Sequence, residues 1–417
     1  MVSTTAPTVG LIAGGASLKA QLRRAERARK LKAIGLVVPL FAFILVSFVI
    51  PIGVMLFQSI YDPDIKRLMP GTAEALARWD GQGIPDEATF AALVTDLAAA
   101  QKVKKAALIG RRLNYELSGM RSDIVKSAKI ASKMEMGPYK EALIEQATLW
   151  GERDVWAVVK RAAQPYTPYF FVTSMDLKYD SDDNVVPVPE NEAVYKDVFL
   201  RTLHISLLVT FLTLVLGYPI AYMMATQPPR VANLLLILVL LPFWTSLLVR
   251  TTAWVVLLQT QGPINDLLMA SGLVNERVQL IFTRFGTIAA MTHIQLPFTV
   301  LPIYSVMKTI SPSHMRAARS LGANSFYAFV RVYFPQTLPG VAAGCLLTFI
   351  LCLGYYITPA LVGGPTDQLI STYIALFTNS TVNWGMGSAL GTILLVATLV
   401  LYFVYNRLVG IDRMRLT

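Results

Sequence analysis

Charge is what this sequence has least of for its length. Of 417 residues only 15% are Asp, Glu, Lys or Arg, while 54% are hydrophobic; a soluble domain carries roughly a quarter charged residues. A shortfall of that kind points to a bilayer and not to a larger core. Cysteine is nearly missing. Cys345 and Cys352 share one apolar segment, which reads as packing and leaves no disulfide framework and no CxxC metal spacing. The three histidines, His204, His293 and His314, stand far apart and form no ligand pair. No GxxxxGK[ST] phosphate loop occurs, so the chain is not expected to bind ATP by that route. Paired catalytic carboxylates and a nucleophile elbow are lacking too. The expectation is a chain that is not an enzyme and holds neither metal nor cofactor. The net charge of +11 would by itself suit nucleic acid. The basic residues, however, sit beside apolar runs, not in a stripe with stacking aromatics, which favours juxtamembrane charge and no nucleic acid.

Long apolar runs are what the sequence has. The first eighteen residues are small and weakly polar, and are expected to lack order. Lys19, Arg23, Arg24, Arg27, Arg29, Lys30 and Lys32 follow, opposed only by Glu26. The apolar run from Ala33 to Phe57 is longer than the roughly 20 residues a spanning helix needs, and longer than the apolar part of a cleaved signal peptide. Further spans are expected near Val198–Ala225, Leu234–Leu258, Thr287–Met307, Leu338–Val362 and Ser388–Leu408. Their connections carry the orientation signal. Arg230, Lys308, Arg316, Arg319, Arg331, Arg407, Arg413 and Arg415 fall on the N-terminal side, whereas the opposite loops hold Asp266, Glu276 and Asp367. By the positive-inside rule both termini are cytoplasmic. The expected plan is an all-α membrane protein of about six spanning helices. It has a basic cytoplasmic tail (1–31), a first transmembrane helix (32–60), an extracytoplasmic insert (61–196) and a transmembrane core (197–417). No internal repeat stands out.

The insert mixes charges of both signs and is expected to be mostly helical. Asp86 after Pro85 reads as a helix start, with Phe90, Leu93, Val94 and Leu97 on one face. Other helical patterns run near Lys102–Leu117 and Tyr139–Val159. Pro165, Pro168, Pro187 and Pro189 interrupt the chain around a short strand expected at Tyr169–Ser174.

The most informative stretch lies between the fourth and fifth expected spans, over residues 309–336. Ser311 followed by Pro312 is an N-cap with proline at the first helical position. Gly322 sits where a left-handed helix stop is wanted. Asn324 can cap a second short helix, and Pro335 is placed to open the fifth span. Ala318 and Gly322, four apart, offer almost no side chain, so another protein can approach the backbone. Arg316 and Arg319 put charge at the rim. Leu321, Phe326, Phe329 and Val330 provide an apolar anchor.

These residues resemble the EAA loop of permeases in binding-protein-dependent ABC importers. The family pattern is EAA, three residues, G, nine residues, I, one residue, LP. Here it reads Arg316-Ala317-Ala318, Gly322, Val332 and Phe334-Pro335, with the spacing kept. Arg316 stands where the family has Glu, so the ionic contact made by that Glu does not carry over. Other stretches are similar to permeases of the polyamine (spermidine/putrescine) type. They are Arg201-Thr202-Leu203 with Gly217-Tyr218-Pro219, Leu241-Pro242-Phe243-Trp244-Thr245 through Arg250 to Trp254, and Gly354-Tyr355-Tyr356-Ile357-Thr358-Pro359 with Gly363-Gly364. Members of that type often carry an acidic residue after the glycine matched by Gly354, where this chain has Tyr355. The resemblance covers the first span and 198–417, and not the insert.

The resemblance implies an inner-membrane subunit that forms the translocation pathway for a small solute, with a polyamine first and another small organic solute, such as an amino-acid derivative, as the alternative. It also implies a cytoplasmic ABC ATPase in two copies, a second permease and an extracytoplasmic binding protein, besides membrane lipid. The coupling residues it marks are Arg316, Ala317, Ala318, Gly322, Val332, Phe334 and Pro335. Polar and aromatic groups at membrane depth are candidates for the pathway: Arg250, Trp244, Thr245, His293, Gln295, Tyr355 and Tyr356. Pro297 and Pro302 would kink the fourth span there. For the insert two readings stay open, a dock for the binding protein or a buttress for the second permease. A secondary transporter would need coupling carboxylates that the spans lack, and a membrane-anchored sensor would need a cytoplasmic signalling domain, where only short tails are expected.

Overall fold

The computed structural model describes residues 15–409. The first fourteen residues of the basic tail lie outside the described residues, as do Arg413 and Arg415. Order begins earlier than expected, since α1 starts at Gly15. The chain divides into two units, 1–57 and 58–417.

In the first unit, α1 (Gly15–Ile44) runs through a π turn (Leu45–Val49) into α2 (Ile50–Gln58). The turn has a local cause. Pro51 has no N–H to give and its ring crowds the carbonyl four residues back, so the backbone widens there. The segment Arg29–Gln58 is long and apolar enough to cross a membrane, and none of its most apolar window is buried. Leu36 is 83% exposed, as suits a side chain facing lipid.

The second unit opens with a helical body. It comprises α3 (Asp64–Leu68), α4 (Pro70–Arg78), α5 (Glu87–Lys102), α6 (Ala106–Leu113), α7 (Met120–Ala131), α8 (Tyr139–Gln146) and α9 (Arg153–Ala162). Asp86 caps α5 as its sequence promises, accepting from Thr89 N at 3.0 Å and Thr89 Oγ1 at 2.7 Å. Phe90, Leu93, Val94 and Leu97 all point into a core closed by Trp150 and Trp156. Each indole N–H is satisfied, Trp150 by Ser127 Oγ and Trp156 by the Trp150 carbonyl, both at 2.9 Å.

Two helical expectations hold in part, and one strand expectation fails. Lys102–Leu117 holds only α6. Tyr139–Val159 is broken by a 3-10 turn at Thr148–Gly151. Tyr169–Ser174 is a helix, α10, and not a strand. Its aromatic and β-branched residues favour strands in general, but the turn at Pro168 and the burial of Tyr169 and Phe170 decide for a helix. The strands come just after, β1 (Leu177–Tyr179) and β2 (Val185–Pro187), antiparallel with Lys178 opposite Val186. Asp176 then starts the next helix from a distance. Its carboxylate accepts from the backbone N–H of Val194, Tyr195 and Lys196 at 2.9, 2.9 and 2.6 Å, and a negative charge suits a helix N-terminus.

That helix is α11 (Tyr195–Thr226). It is followed by α12 (Pro229–Leu240), α13 (Leu247–Leu258), α14 (Pro263–Ala270), α15 (Arg284–Thr309), α16 (Pro312–Ser320), α17 (Ser325–Ala328), α18 (Phe334–Leu353), α19 (Ile357–Val362), α20 (Ile370–Ala375) and α21 (Trp384–Val409). Among the described residues four helical stretches are long and apolar enough to span a membrane: Arg29–Gln58, Tyr195–Thr226, Ser325–Leu353 and Trp384–Arg407. A bent pair, Pro229–Trp244 with Leu247–Ala270, makes a fifth.

The bend of 97° corrects the expected straight span at 234–258. Pro242 draws the chain into a 3-10 turn, and Ser246 Oγ caps a fresh helix by accepting from Val249 N at 3.2 Å. The expected span at 338–362 likewise ends at Leu353, before Gly354, and α19 is separate.

At 26 residues, or roughly 39 Å at the usual rise per residue, α15 is long enough to span but too polar to pass on hydropathy. It can be more polar because it is central, packed between α11 and α18. Thr299 bonds Thr213 at 2.9 Å on one side and Thr348 at 2.6 Å on the other. At Gly344 a Cβ would stand 2.7 Å from the Thr299 carbonyl oxygen. The two backbones therefore touch, the small-residue packing that membrane helices use in place of hydrophobic drive.

Candidate functional site

Two places in the second unit carry the groups that sequence singled out. The first is the loop from Ser311 to Pro335. Ser311 Oγ accepts from Ser313 N at 3.3 Å and Pro312 opens α16. Gly322 has φ +90°, in the left-handed region, and ends the helix. Asn324 Oδ1 then accepts from Tyr327 N at 2.7 Å and opens α17.

The second short helix is not separate, contrary to expectation. It runs through a π turn, Phe329–Tyr333, straight into α18, so that Ser325–Leu353 is one stretch. The turn ends two residues before Pro335, just as the turn of the first helix ends two residues before Pro51, and the cause is the same. A push on the loop therefore acts directly on a spanning helix.

The loop exposes apolar side chains. Leu321 is 89% and Phe326 78% exposed. Arg316, Ala317, Gly322, Phe334 and Pro335 are exposed, while Ala318 and Val332 are half-buried. Arg316 has no ion pair among the described residues, whereas Arg319 Nη2 donates to Ser325 Oγ at 2.6 Å and ties α16 to α17. Beneath, Tyr218 of α11 meets Phe329 and Tyr222 meets Phe329 and Tyr333, all edge-on, and Phe329 stacks on Tyr333 at 5.7 Å. His314 Nδ1 pairs with Gln336 Oε1 at 2.8 Å, joining the start of the loop to α18. Sequence reading missed that link; a lone histidine 22 residues from a glutamine gives no signal of it.

The second place is the polar seam where α13, α15 and the Tyr355–Pro359 corner meet. Arg250 lies close enough to both His293 and Tyr355 to act on them electrostatically. Its Nε is buried without a hydrogen-bond partner, as is the Tyr355 hydroxyl. Trp254, one turn beyond Arg250, donates from Nε1 to His293 Nδ1 at 3.2 Å. Thr251 bonds Thr358 at 3.1 Å. Among the described residues, Ser206, Thr292, Gln368 and Thr372 also carry a buried polar atom without a partner.

The structure thus brings Arg250, His293 and Tyr355 together. Trp254, Thr251 and Thr358 join them; the helical spacing from Arg250 could have signalled Trp254, while nothing local signals Thr358. Trp244, 78% exposed at the bend, is not brought in. Thr245 donates instead to the Pro242 carbonyl at 2.9 Å. Gln295 is buried against Cys352, with Nε2 to Sγ at 3.5 Å, a contact between α15 and α18. Tyr356 is 40% exposed at the helix break.

Spanning helices around a central polar helix, a polar seam at depth and a helix–turn–helix loop continuous with a span define the membrane component of a transporter. Residues 217–411 match the family model for the binding-protein-dependent transport system inner membrane component. The chain is 34% identical over 216 residues to the spermidine/putrescine transport system permease protein PotB of Escherichia coli (strain K12), covering 52% of this chain and 78% of that one. With its counterpart from Haemophilus influenzae it shares 36% identity over 214 residues, covering 51% and 75%. The chain belongs to this family of ABC importer permeases. A solved bacterial ABC transporter for the acidic polysaccharide alginate is similar at 21% identity, with a TM-score of 0.42 over 54% of this chain and 80% of that one.

Proposed function

We propose that this permease carries a small organic amine of the polyamine class into the cell. The observation that carries the reading is the identity of about a third, across three quarters or more of their length, to permeases named for spermidine and putrescine. On this reading the loop 309–336 sits in the cytoplasm and docks on an ABC ATPase present in two copies. Leu321 and Phe326 act as its apolar anchors, and Arg316 replaces the family's Glu at the rim. A second permease completes the pathway, and an extracytoplasmic binding protein delivers the solute. Both termini are then cytoplasmic and the insert, 61–196, is extracytoplasmic. The lining assigned to this chain is the seam of Arg250, Trp254, His293 and Tyr355. Trp244, Thr245, Gln295 and Tyr356 stay outside it.

The seam carries a guanidinium and no carboxylate, which favours a second reading, a solute that also bears a hydrogen-bond acceptor, such as an amino-acid derivative. Uptake of labelled spermidine and putrescine in cells deleted for the chain, and in cells with it restored, tests the choice. Loss on deletion and recovery on restoration support the polyamine reading. Unchanged uptake in cells lacking other polyamine carriers rejects it in favour of the second.

A further inference from the structure

The insert has no counterpart in the resemblance that covers the core, and the cavity at its foot serves none of the roles above. This cavity, of about 480 Å³, lies between α3, α6 and the turn that leads into α21, within the range of small-molecule sites. Its charged lining is balanced, with Asp62 and Asp64 on one side of the ledger and Arg111 and Arg112 on the other. Its apolar lining is aromatic: Tyr61, Tyr115, Phe170 and Trp384.

Two of the four charges are built in. Arg112, only 3% exposed, pairs through Nε with Asp62 and through Nη1 with Glu116 at 3.0 Å, and its guanidinium lies over the Tyr169 and Phe170 rings at 5.1 and 5.5 Å. Arg161 continues the chain from Glu116 to Asp183. Yet Arg112 Nη2 is buried with no hydrogen-bond partner. A buried donor left unmatched is costly and calls for an acceptor.

The other two charges, Asp64 and Arg111, are held more loosely. Neither Asp64 nor Arg111 has an ion pair among the described residues. Burial, and next the neighbouring Asp62, hold the Asp64 carboxyl above the usual carboxylate range, against the opposing pull of Arg111, Arg67 and Arg112. The far wall is fixed in place. Phe170 packs so closely on Gly385 that a Cβ there would stand 2.3 Å from its ring. Val382, a β-branched residue on the lining, is held at φ +53°, a rare conformation for such a residue.

We propose that this cavity is a binding site for a small zwitterion, a molecule with an ammonium group at one end and a carboxylate at the other. The ammonium meets Asp64 and the aromatic faces, and the carboxylate meets Arg111. A bare diamine would leave Arg111 unanswered, and a diacid would leave Asp64 so. A bound molecule touches the insert and the lead into α21 at once, so its occupancy ties the insert to a spanning helix. The proposal does not depend on which solute is transported.

Calorimetric titration of the purified full chain in lipid nanodiscs tests it, with three four-carbon probes: 4-aminobutyrate, putrescine and succinate. Saturable binding of 4-aminobutyrate is expected, tighter than either of the others. Asp64→Asn and Arg111→Gln should each weaken it by about tenfold, the loss of one charge-assisted contact. Trp384→Ala, at a half-exposed position, should weaken it too and serves if either charge variant fails to fold. Tighter binding of putrescine or succinate, binding untouched by the folded variants, or no binding by any probe would overturn the assignment.

Discussion

Gly322 offers the sharpest test of the coupling loop, because the structure separates three effects there. A Cβ at this position meets nothing within 4 Å, so no substitution clashes inside the chain. What any side chain meets is the backbone, at φ +90°. For Ala that costs about 1 kcal/mol or a little more, while Asn and Asp tolerate the left-handed region better. The cost falls on an exposed turn, so the unfolding transition of the purified chain should hardly move. The population of the loop in its docking shape should fall by about fivefold with Ala and by less with Asn.

Asp adds to Asn only a charge. If the turn is covered by the backbone of a partner, an unpaired charge costs a further ~1–3 kcal/mol, another factor of about 5–150. ATP-driven uptake in proteoliposomes holding the whole importer should therefore rank wild type, Asn, Ala and, far below, Asp. Equal uptake with Asn and Asp would refute the reasoning, since it would mean that nothing covers the turn.

Gly344→Ala should lower the thermal unfolding temperature of the purified chain by the equivalent of about 1–3 kcal/mol, because the added methyl meets the Thr299 backbone at 2.7 Å; an unmoved transition would mean that α15 and α18 do not touch there. Arg112→Gln should destabilise the insert by about 3–5 kcal/mol, leaving Asp62 and Glu116 buried with less compensation, and limited proteolysis between α3 and α9 should speed up; an unchanged cleavage rate speaks against a network that holds the body together. Asp64 has a folded-state pKa above its unfolded one, so its contribution is fully present below the unfolded value and is lost as pH rises through the folded one. Asp64→Asn should then raise thermal stability at neutral pH and change nothing near pH 3, and a variant less stable than wild type at neutral pH would show that the carboxylate already has a partner.

Most of the loop's geometry was legible in the sequence because its signals are local. Ser311-Pro312, Gly322 and Asn324 each fix their own few dihedrals, and each does in the structure what its chemistry requires. The same holds for Asp86 and the buried face of α5. The strand expected at Tyr169–Ser174 went wrong for the opposite reason. Its residues suit a strand, but Phe170 is buried against Gly385, more than two hundred positions away, and no local pattern records that contact.

The sequence alone determined that the chain enters a membrane, where its long apolar runs lie and where its helices are capped, since hydropathy, capping and spacing act within a few residues. Only the tertiary structure decided the rest. It bent the third span, set the polar α15 at the centre, gathered Arg250, His293 and Tyr355 from three segments and left Trp244 outside. It also closed an aromatic cavity with the insert on one side and the lead into α21 on the other. These outcomes depend on which distant surfaces meet, and that is settled by packing across the whole fold.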